Sequence, residues 1–222
     1  DGKYVIFFDD GQWLTYAMAT GKTVDITAPL QSVHFDQETW STPDIPSAWG
    51  IAGWTKGDKS VLVYDRFDIW ELDPAGVKPA VVVTDSLGRR EHIAFRLVDL
   101  DRTDDDHAID PVKPLLLRAF SETTKASGFY RDVLGAQKEP EKIVMGDLAY
   151  GVPQKAKNAD VYMVTKSTFV DFPNLWVGPS LTSLTQISDA NPFQKEYNWG
   201  TAELVTWTST DGVPLQGILY KP

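Results

Sequence analysis

The sequence has no cysteine, which excludes disulfide bonds, thiolate-bound zinc and thiol nucleophiles. It has only three histidines and no long run of lysine or arginine, and its formal net charge of −10 argues against nucleic acid as a partner. It also lacks an apolar run of membrane-spanning length and the basic and apolar regions of a signal peptide. A cysteine-free chain fits a reducing compartment or a bacterial envelope; we favour a periplasmic or secreted bacterial location over a cytoplasmic one.

A repeated strand-turn-strand unit organises the chain. Residues 59–76 contain two apolar strands with a tight connection at Arg66-Phe67, and the unit ends in a turn whose last residue is Gly76. Residues 3–22 repeat this arrangement, and the two copies begin 56 residues apart, at Lys3 and Lys59. Such an offset is typical of a propeller blade with a long insertion, and not of a helical repeat.

Short apolar segments separated by turn residues continue to the end of the chain, and none shows sustained helical periodicity. We therefore predict an all-β fold, a partial β-propeller of about three to four four-stranded antiparallel blades, the first of them incomplete. A β-sandwich is the alternative, but Trp13, Trp70 and Trp176 recur inside the hairpins, as expected for core side chains between neighbouring blades. Beyond the two repeats, strands are predicted at 22–27, 49–54, 80–84, 94–98, 115–120, 125–131, 142–145, 160–165, 169–172, 174–177 and 183–189.

The most specific pattern lies at the C-terminus, where Trp207 to Pro222 fit the pattern W-x-S-x-D-G-x-x-L-x-G-x-L-Y-x-P. This segment closely resembles the junction in the prolyl oligopeptidase family of serine peptidases, including its acylaminoacyl-peptidase-like and dipeptidyl-peptidase-like branches. In that family a propeller is followed there by an α/β-hydrolase domain. The Asp-Gly-Lys and Thr-Gly-Lys turns at residues 1–3 and 20–22 are also similar to propeller turns of the family.

The resemblance implies two regions: propeller blades over residues 1–190, and over residues 191–222 a linker with the first strand of a hydrolase domain. It further implies a non-catalytic role, in which the propeller covers the active site and admits short peptides. The family's nucleophile pattern G-x-S-x-G is missing, so no catalytic residue is assigned and the chain alone is expected to be inactive. His34, His92 and His107 are interpreted as exposed or half-buried side chains and not as bases. No substrate-binding residue is named and no cofactor is predicted.

The acidic window from Asp99 to Asp110 spaces its carboxylates like a calcium loop, but position six is Asp104 where the sharp turn needs glycine, and position twelve lacks glutamate. We interpret it as a solvated hairpin tip and predict no metal. Dipeptidyl peptidases of the family hold the substrate's amino group with a pair of glutamates. Here no such pair is present, and three single glutamates are interpreted as isolated surface charges: Glu38, Glu122 and Glu139.

Two other functions remain open: a non-enzymatic propeller that binds another protein, and a sugar-binding sandwich. The pattern at residues 207–222 argues against the first, because a stand-alone propeller needs no hydrolase-type strand. The chain starts within what resembles a turn, so we expect a fragment. An open set of blades leaves apolar faces and strand edges at its ends, which predicts self-association through those ends.

Overall fold

The computed structural model describes residues 2–38, 41–100 and 107–222. In these ranges the chain forms four successive antiparallel sheets and a two-stranded hairpin. The only helices there are the α-helix α1 (Leu87–Glu91) and a 3-10 helix (Pro192–Glu196), each of five residues. Neither has the length and apolar character needed to cross a membrane.

The first sheet has three strands and the next two have four strands each, hydrogen-bonded in chain order. Their strands are β1 (Tyr4–Asp9), β2 (Gln12–Ala17), β3 (Lys22–Asp25), β4 (Ile51–Trp54), β5 (Val61–Tyr64), β6 (Ile69–Leu72), β7 (Val81–Val82), β8 (Ile93–Val98), β9 (Leu115–Ser121), β10 (Ser127–Asp132) and β11 (Glu141–Gly146). The fourth sheet has the order β12-β14-β15-β16, with β13 also paired to β14, and β17 and β18 form the hairpin. Their bounds are β12 (Ala149–Tyr150), β13 (Gln154–Lys155), β14 (Tyr162–Ser167), β15 (Asn174–Ser180), β16 (Ser183–Gln186), β17 (Thr201–Thr208) and β18 (Pro214–Lys221).

The second sheet is covered on both faces, since all four residues of its strand β5 are buried. Val61 and Val63 belong to a buried cluster with Trp13 of the first sheet. Leu62, pointing the other way, belongs to a cluster with Phe95 of the third sheet. Alternate side chains of one strand therefore fill two different interfaces.

The third and fourth sheets meet in the same manner. Phe129 of β10 packs edge-on against Tyr150 of β12, with ring centroids 5.2 Å apart, and Val164 of β14 completes the buried cluster. Each sheet thus packs on the next, and the four sheets form a partial propeller whose first blade has three strands. The predicted all-β fold class is confirmed.

Three details differ from the prediction. Residues 169–172 do not form a strand: Thr168 and Asp171 close a turn through reciprocal hydrogen bonds, which leaves Phe169 and Phe172 exposed. The two-residue strands β12 and β13 were not predicted, since so short a segment has no readable alternation. Finally, residues 191–222, where a linker and one strand were expected, contain the two strands β17 and β18.

Candidate functional site

The C-terminal pattern forms a regular hairpin. Trp207 pairs with Leu215, and Leu204 pairs with Ile218. Between the strands, the Ser209 hydroxyl donates to Asp211 Oδ1 at 2.5 Å and accepts a hydrogen bond from the Val213 amide at 3.0 Å. That hydrogen bond from Ser209 lowers the pKa of Asp211. The serine, aspartate and glycine of the pattern therefore build the turn, with Gly212 at a φ of 86° that favours glycine.

Both faces of this hairpin carry exposed apolar side chains. One face bears Leu204, Ile218 and Tyr220, and the last two are 54% and 61% exposed. The other bears Trp207 and Leu219, which are 50% and 42% exposed. A two-stranded hairpin in water normally turns one polar face to solvent. Here apolar and polar side chains mix on both faces: Thr206 and Gln216 lie on the first face, and Glu203 pairs with Lys221 on the second.

The hairpin lies against turns that join the second and third strands of two sheets. Phe169, in the β14–β15 turn, contacts the Tyr220 ring at 5.2 Å and accepts a hydrogen bond from Trp199 Nε1 at 2.8 Å. Gln216 Nε2 donates to the carbonyl of Thr123, in the β9–β10 turn, at 3.0 Å. We call the surface made by these equivalent turns the turn face.

The turn face also carries an arginine–glutamate cluster, made of Arg66, Arg89, Glu38 and Glu122. Arg66, in the β5–β6 turn, donates to both carboxylate oxygens of Glu122 at 3.1 and 2.6 Å. Arg89 of α1 donates to Glu38 at 3.2 Å. Both guanidinium groups lie over the ring of Phe67, at 5.0 and 5.1 Å from its centroid. The Glu122 carboxylate raises the pKa of Arg66.

The buried side chain of Asp68 fixes the position of α1, and therefore that of Arg89. Asp68 accepts hydrogen bonds from the Thr84 hydroxyl at 2.6 Å and from the amides of Gly88 and Arg89, both at 2.9 Å. Burial raises the pKa of Asp68, and these three hydrogen bonds oppose that rise. A Cβ at Gly88 would lie 2.6 Å from Asp68 Oδ1 and 2.8 Å from the carbonyl of Phe67, so only glycine fits.

A second charged region lies beside the edge strand β8. We call it the inner-edge concavity and define it by its lining residues: Arg96, Leu97, Val98, Asp99, His107, Arg118 and Val152. Arg96 of β8 pairs directly with Arg118 of β9. A cavity of about 490 Å³ adjoins them, lined also by His107 and Val152. Arg96 donates to the carbonyls of Phe95 and Arg66 and lies over the rings of Trp49 and Tyr64. Burial lowers the pKa of Arg96.

The three histidines are exposed, as interpreted from the sequence. His34 Nδ1 lies 3.5 Å from Asp36, His107 Nδ1 lies 3.1 Å from Asp99, and the His92 ring stacks edge-on with Phe67. Within the part of the chain that is described, none of these rings contacts a serine hydroxyl. The geometry therefore assembles no Ser-His-Asp arrangement from these three histidines.

The glutamates are not isolated, and that expectation was wrong. Glu122 pairs with Arg66, Glu38 with Arg89, and Glu139 with Arg90 at 2.7 Å. Each pair joins segments about 50 residues apart in sequence. Sequence spacing alone could not reveal these partners, because the sheets bring them together.

Half of the calcium-like window, residues 101–106, lies outside the described residues. Its described ends follow and precede the strands β8 and β9. Asp99 lies near His107, and Asp110 accepts hydrogen bonds from Lys56 and from the Val112 amide. Among the residues with described positions, no group of three or more His, Cys, Asp or Glu could hold a metal ion.

The arginines were overlooked at the sequence level. Arg96 and Arg118 each interrupt an apolar strand, in the runs Ala94 to Val98 and Leu115 to Ala119. A charged residue at the centre of a predicted buried strand is a readable signal, since such strands rarely carry unpaired charge. Arg66 and Arg89 offered no comparable signal, because both lie in connections.

The fold and site define a partial propeller of antiparallel sheets with three to five strands each, with a partly exposed hairpin on its turn face. No protein-family model and no curated protein matches the chain. Solved structures that resemble it include an AtxE2 isopeptidase, in a variant with Astexin3-dC4 bound (12% identity, TM-score 0.34) and in the apo form (13% identity, TM-score 0.33). A structure from a study of two prolyl endopeptidases also matches, at 12% identity and a TM-score of 0.37.

These matches cover 100% of this chain for both isopeptidase structures and 97% for the prolyl endopeptidase. The chain spans about half of the isopeptidase chains, 55%, and 37% of the endopeptidase chain. The neighbours are peptidases. At these identities and TM-scores the likeness carries no argument about the function of this chain.

Proposed function

We propose that this chain is the propeller segment of a serine peptidase of the prolyl oligopeptidase type, and that it gates the access of short peptides to an active site on a hydrolase domain. Residues 1–190 form the blades, and residues 191–222 form the linker and the first strands of that domain. The segment contributes no catalytic residue. The proposal includes a periplasmic or secreted bacterial location, to be tested by fractionating the source cells.

One observation carries the proposal: the β17–β18 hairpin has the sequence pattern of the family's junction and exposes apolar side chains on both faces. Full burial of a large apolar side chain contributes about 1.5–3 kcal/mol, and since Trp207, Ile218 and Tyr220 are 50%, 54% and 61% exposed, covering them would contribute about half of that each. A hydrolase sheet with helices on both sides would cover such a hairpin in this way. A stand-alone propeller offers no reason for two uncovered apolar faces.

The position of the hairpin supports the gating role. Because Tyr220 and Gln216 contact the turns at residues 168–173 and 122–126, a domain continuing from β18 would extend over the turn face. A peptide approaching that domain through the propeller would pass the blades first. Peptides narrow enough to pass the blades would then reach the active site, and folded proteins, which are wider, would be excluded.

The test begins with the reading frame beyond Pro222. We expect G-x-S-x-G followed by Asp and His, and we expect the longer product to react with a fluorophosphonate label while the 222-residue chain does not. The longer product should cleave a peptide of about ten residues and spare the same sequence held in a folded protein. A stop codon shortly after Pro222 would instead leave a binding propeller, to be pursued by pull-down.

Self-association through the free sheet faces is part of this proposal. In the first sheet, Val5, Phe7 and Tyr16 share one face and are exposed. When the 222-residue chain is isolated, we expect two copies to associate, so that the exposed face of the first sheet in one copy packs on the free face of the fourth sheet in the other. Light scattering at rising concentration should show a dimer that the variant Phe7→Asp loses. The matched control is Val112→Asp, an exposed single apolar residue in a loop. A monomer at high concentration would contradict the idea.

A further inference from the structure

We infer that the inner-edge concavity binds the carboxylate of a short peptide, and that Arg118 is its principal contact. That the ligand is a peptide rests on the proposed function. That its carboxylate is the group bound rests on the two guanidinium groups of Arg96 and Arg118.

Two arginines lie directly opposite each other at the centre of this site. Arg96 and Arg118 are cross-strand partners on one face of the β8–β9 pair. Like charges in this position destabilise a sheet. Arg96 relieves part of the repulsion by turning back to the carbonyls of Phe95 and Arg66. Arg118 is exposed and has no hydrogen bond or ion pair within the described ranges, so its guanidinium is available to an anion.

The surroundings extend the positive charge. The cavity beside the two arginines shares Leu97, Val98, Asp99 and His107 with a second cavity of about 530 Å³. That second cavity is lined by four lysines: Lys56, Lys113, Lys155 and Lys157. The described walls of both cavities bear six basic side chains and two carboxylates, Asp99 and Asp110. Because Lys56 pairs with Asp110 and Lys155 pairs with Asp160, four basic side chains remain beside Asp99. This excess occurs in a chain whose formal net charge is −10.

The shape and polarity of the cavity select a peptide over a polyanion. A volume of about 490 Å³ lies within the range of small-ligand sites. Leu97, Val98 and Val152 give apolar walls beside the two guanidinium groups. A planar guanidinium binds a carboxylate with two parallel hydrogen bonds. The Asp99 carboxylate would repel a multiply charged phosphate, while one peptide carboxylate still meets a net positive site.

The chain offers one competing occupant. Residues 101–106, which are not among the described residues, contain four aspartates and one arginine, and they connect the cavity residues Leu100 and His107. The test must therefore separate a peptide carboxylate from these carboxylates.

The experiment measures binding of N-acetyl-tetraglycine and of its C-terminal amide to the whole chain by isothermal titration calorimetry in low salt. We expect the free acid to bind at least tenfold more tightly than the amide. Arg118→Gln should weaken binding of the acid at least tenfold, and Arg118→Lys should do so less. The matched control Arg131→Gln alters an exposed arginine of β10 that pairs with Glu141, and it should bind as the parent does.

Equal binding of acid and amide, or unchanged binding by Arg118→Gln, would overturn the inference. It would also be overturned if peptide bound only to the triple variant Asp104→Asn, Asp105→Asn and Asp106→Asn, since residues 101–106 would then be the natural occupant. None of these outcomes affects the fluorophosphonate test on the longer product. The carboxylate site and the gating proposal can therefore fail separately.

Discussion

The interface between the second and third sheets and the β17–β18 hairpin are built from similar residues but differ in coverage. At the interface, Leu62, Phe95 and Leu117 have no exposed surface, and the Phe95 ring packs edge-on against Tyr130 at 5.1 Å. In the hairpin, Trp207 and Ile218 are half exposed. Apolar composition therefore marks where a surface is to be buried, and the structure shows which of these surfaces the chain buries itself. The difference teaches that the chain buries the apolar surface between its inner sheets, and leaves exposed that of the hairpin and of the outer face of the first sheet.

The largest expected effect tests this contrast directly. Phe95→Ala removes a fully buried ring and should lower the free energy of unfolding by about 3–5 kcal/mol, through lost burial and a cavity. Trp207→Ala removes a larger ring from the exposed hairpin and should cost less than about 1 kcal/mol. Urea denaturation followed by circular dichroism measures both. Equal losses for the two variants would remove the distinction between the two regions.

The next largest effect concerns the joint between the second and third sheets, by which we mean the hydrogen bonds from Asp68, in the β5–β6 turn, to Thr84 and α1. Asp68→Ala leaves the Thr84 hydroxyl and the amides of Gly88 and Arg89 without their acceptor, and we expect a loss of about 2–3 kcal/mol. The control Asp44→Ala alters an exposed carboxylate that, among the described residues, accepts a side-chain hydrogen bond only from the Ile45 amide, and it should change stability by less than about 0.5 kcal/mol. If both variants denature at the same urea concentration, Asp68 does not hold the joint.

A pH dependence should arise from Asp132, at the end of β10. Burial raises its pKa from 3.8 to about 6, and its Oδ2 atom is buried without a partner among the described residues. Between these two values the folded chain binds more protons than the unfolded chain, so this group's contribution to stability falls as pH rises from about 4 through 6 and levels off near pH 7. We expect a loss of about 1–2 kcal/mol across that window.

The variant Asp132→Asn isolates this contribution. Its stability relative to the parent should improve between pH 4 and pH 7, because the parent loses stability there and the amide does not titrate. Urea midpoints at the two pH values measure the change. A constant difference between parent and variant at both pH values would refute the assignment.

The smallest effect belongs to the Arg66–Glu122 pair, which crosses between the second and third sheets at the turn face. The two side chains are 27% and 30% exposed, so the pair should contribute only about 0.5–1 kcal/mol. Arg66→Gln should show this loss in 0.05 M salt and a smaller one in 1 M salt, because ions screen the pair. A loss that is unchanged by salt would mean that Arg66 acts through packing on Phe67.

Much of the fold was predictable because strand alternation and turn residues are local signals. The hairpins at residues 3–16 and 60–72 could be placed from sequence, as could the all-β class. The segment at residues 169–172 was misjudged because its aromatic side chains fit a strand, whereas Phe169 serves as a contact for Trp199 and Tyr220.

The candidate sites were less predictable, because their partners come from different sheets. The pairing of Arg96 with Arg118 depends on the register of two strands that are separated in sequence by residues 99–114. Likewise, Trp13 is buried as a core tryptophan was expected to be, but Trp70 and Trp176 are only partly buried. How deeply each tryptophan is buried depends on which side chains of the neighbouring sheet pack on it, and these contacts cannot be read from a single sequence.

The packing of each sheet on the next also determines how the molecule should respond to mechanical force. Because each sheet is held by contacts to its sequence neighbours, the array behaves as a one-dimensional chain of coupled units. The outer units have one coupled face and the inner units have two. Pulled from the C-terminus, the molecule should peel apart in sequence: first the hairpin, with its few anchoring contacts, and then the fourth sheet. The second sheet, held between two neighbours, should be among the last to yield.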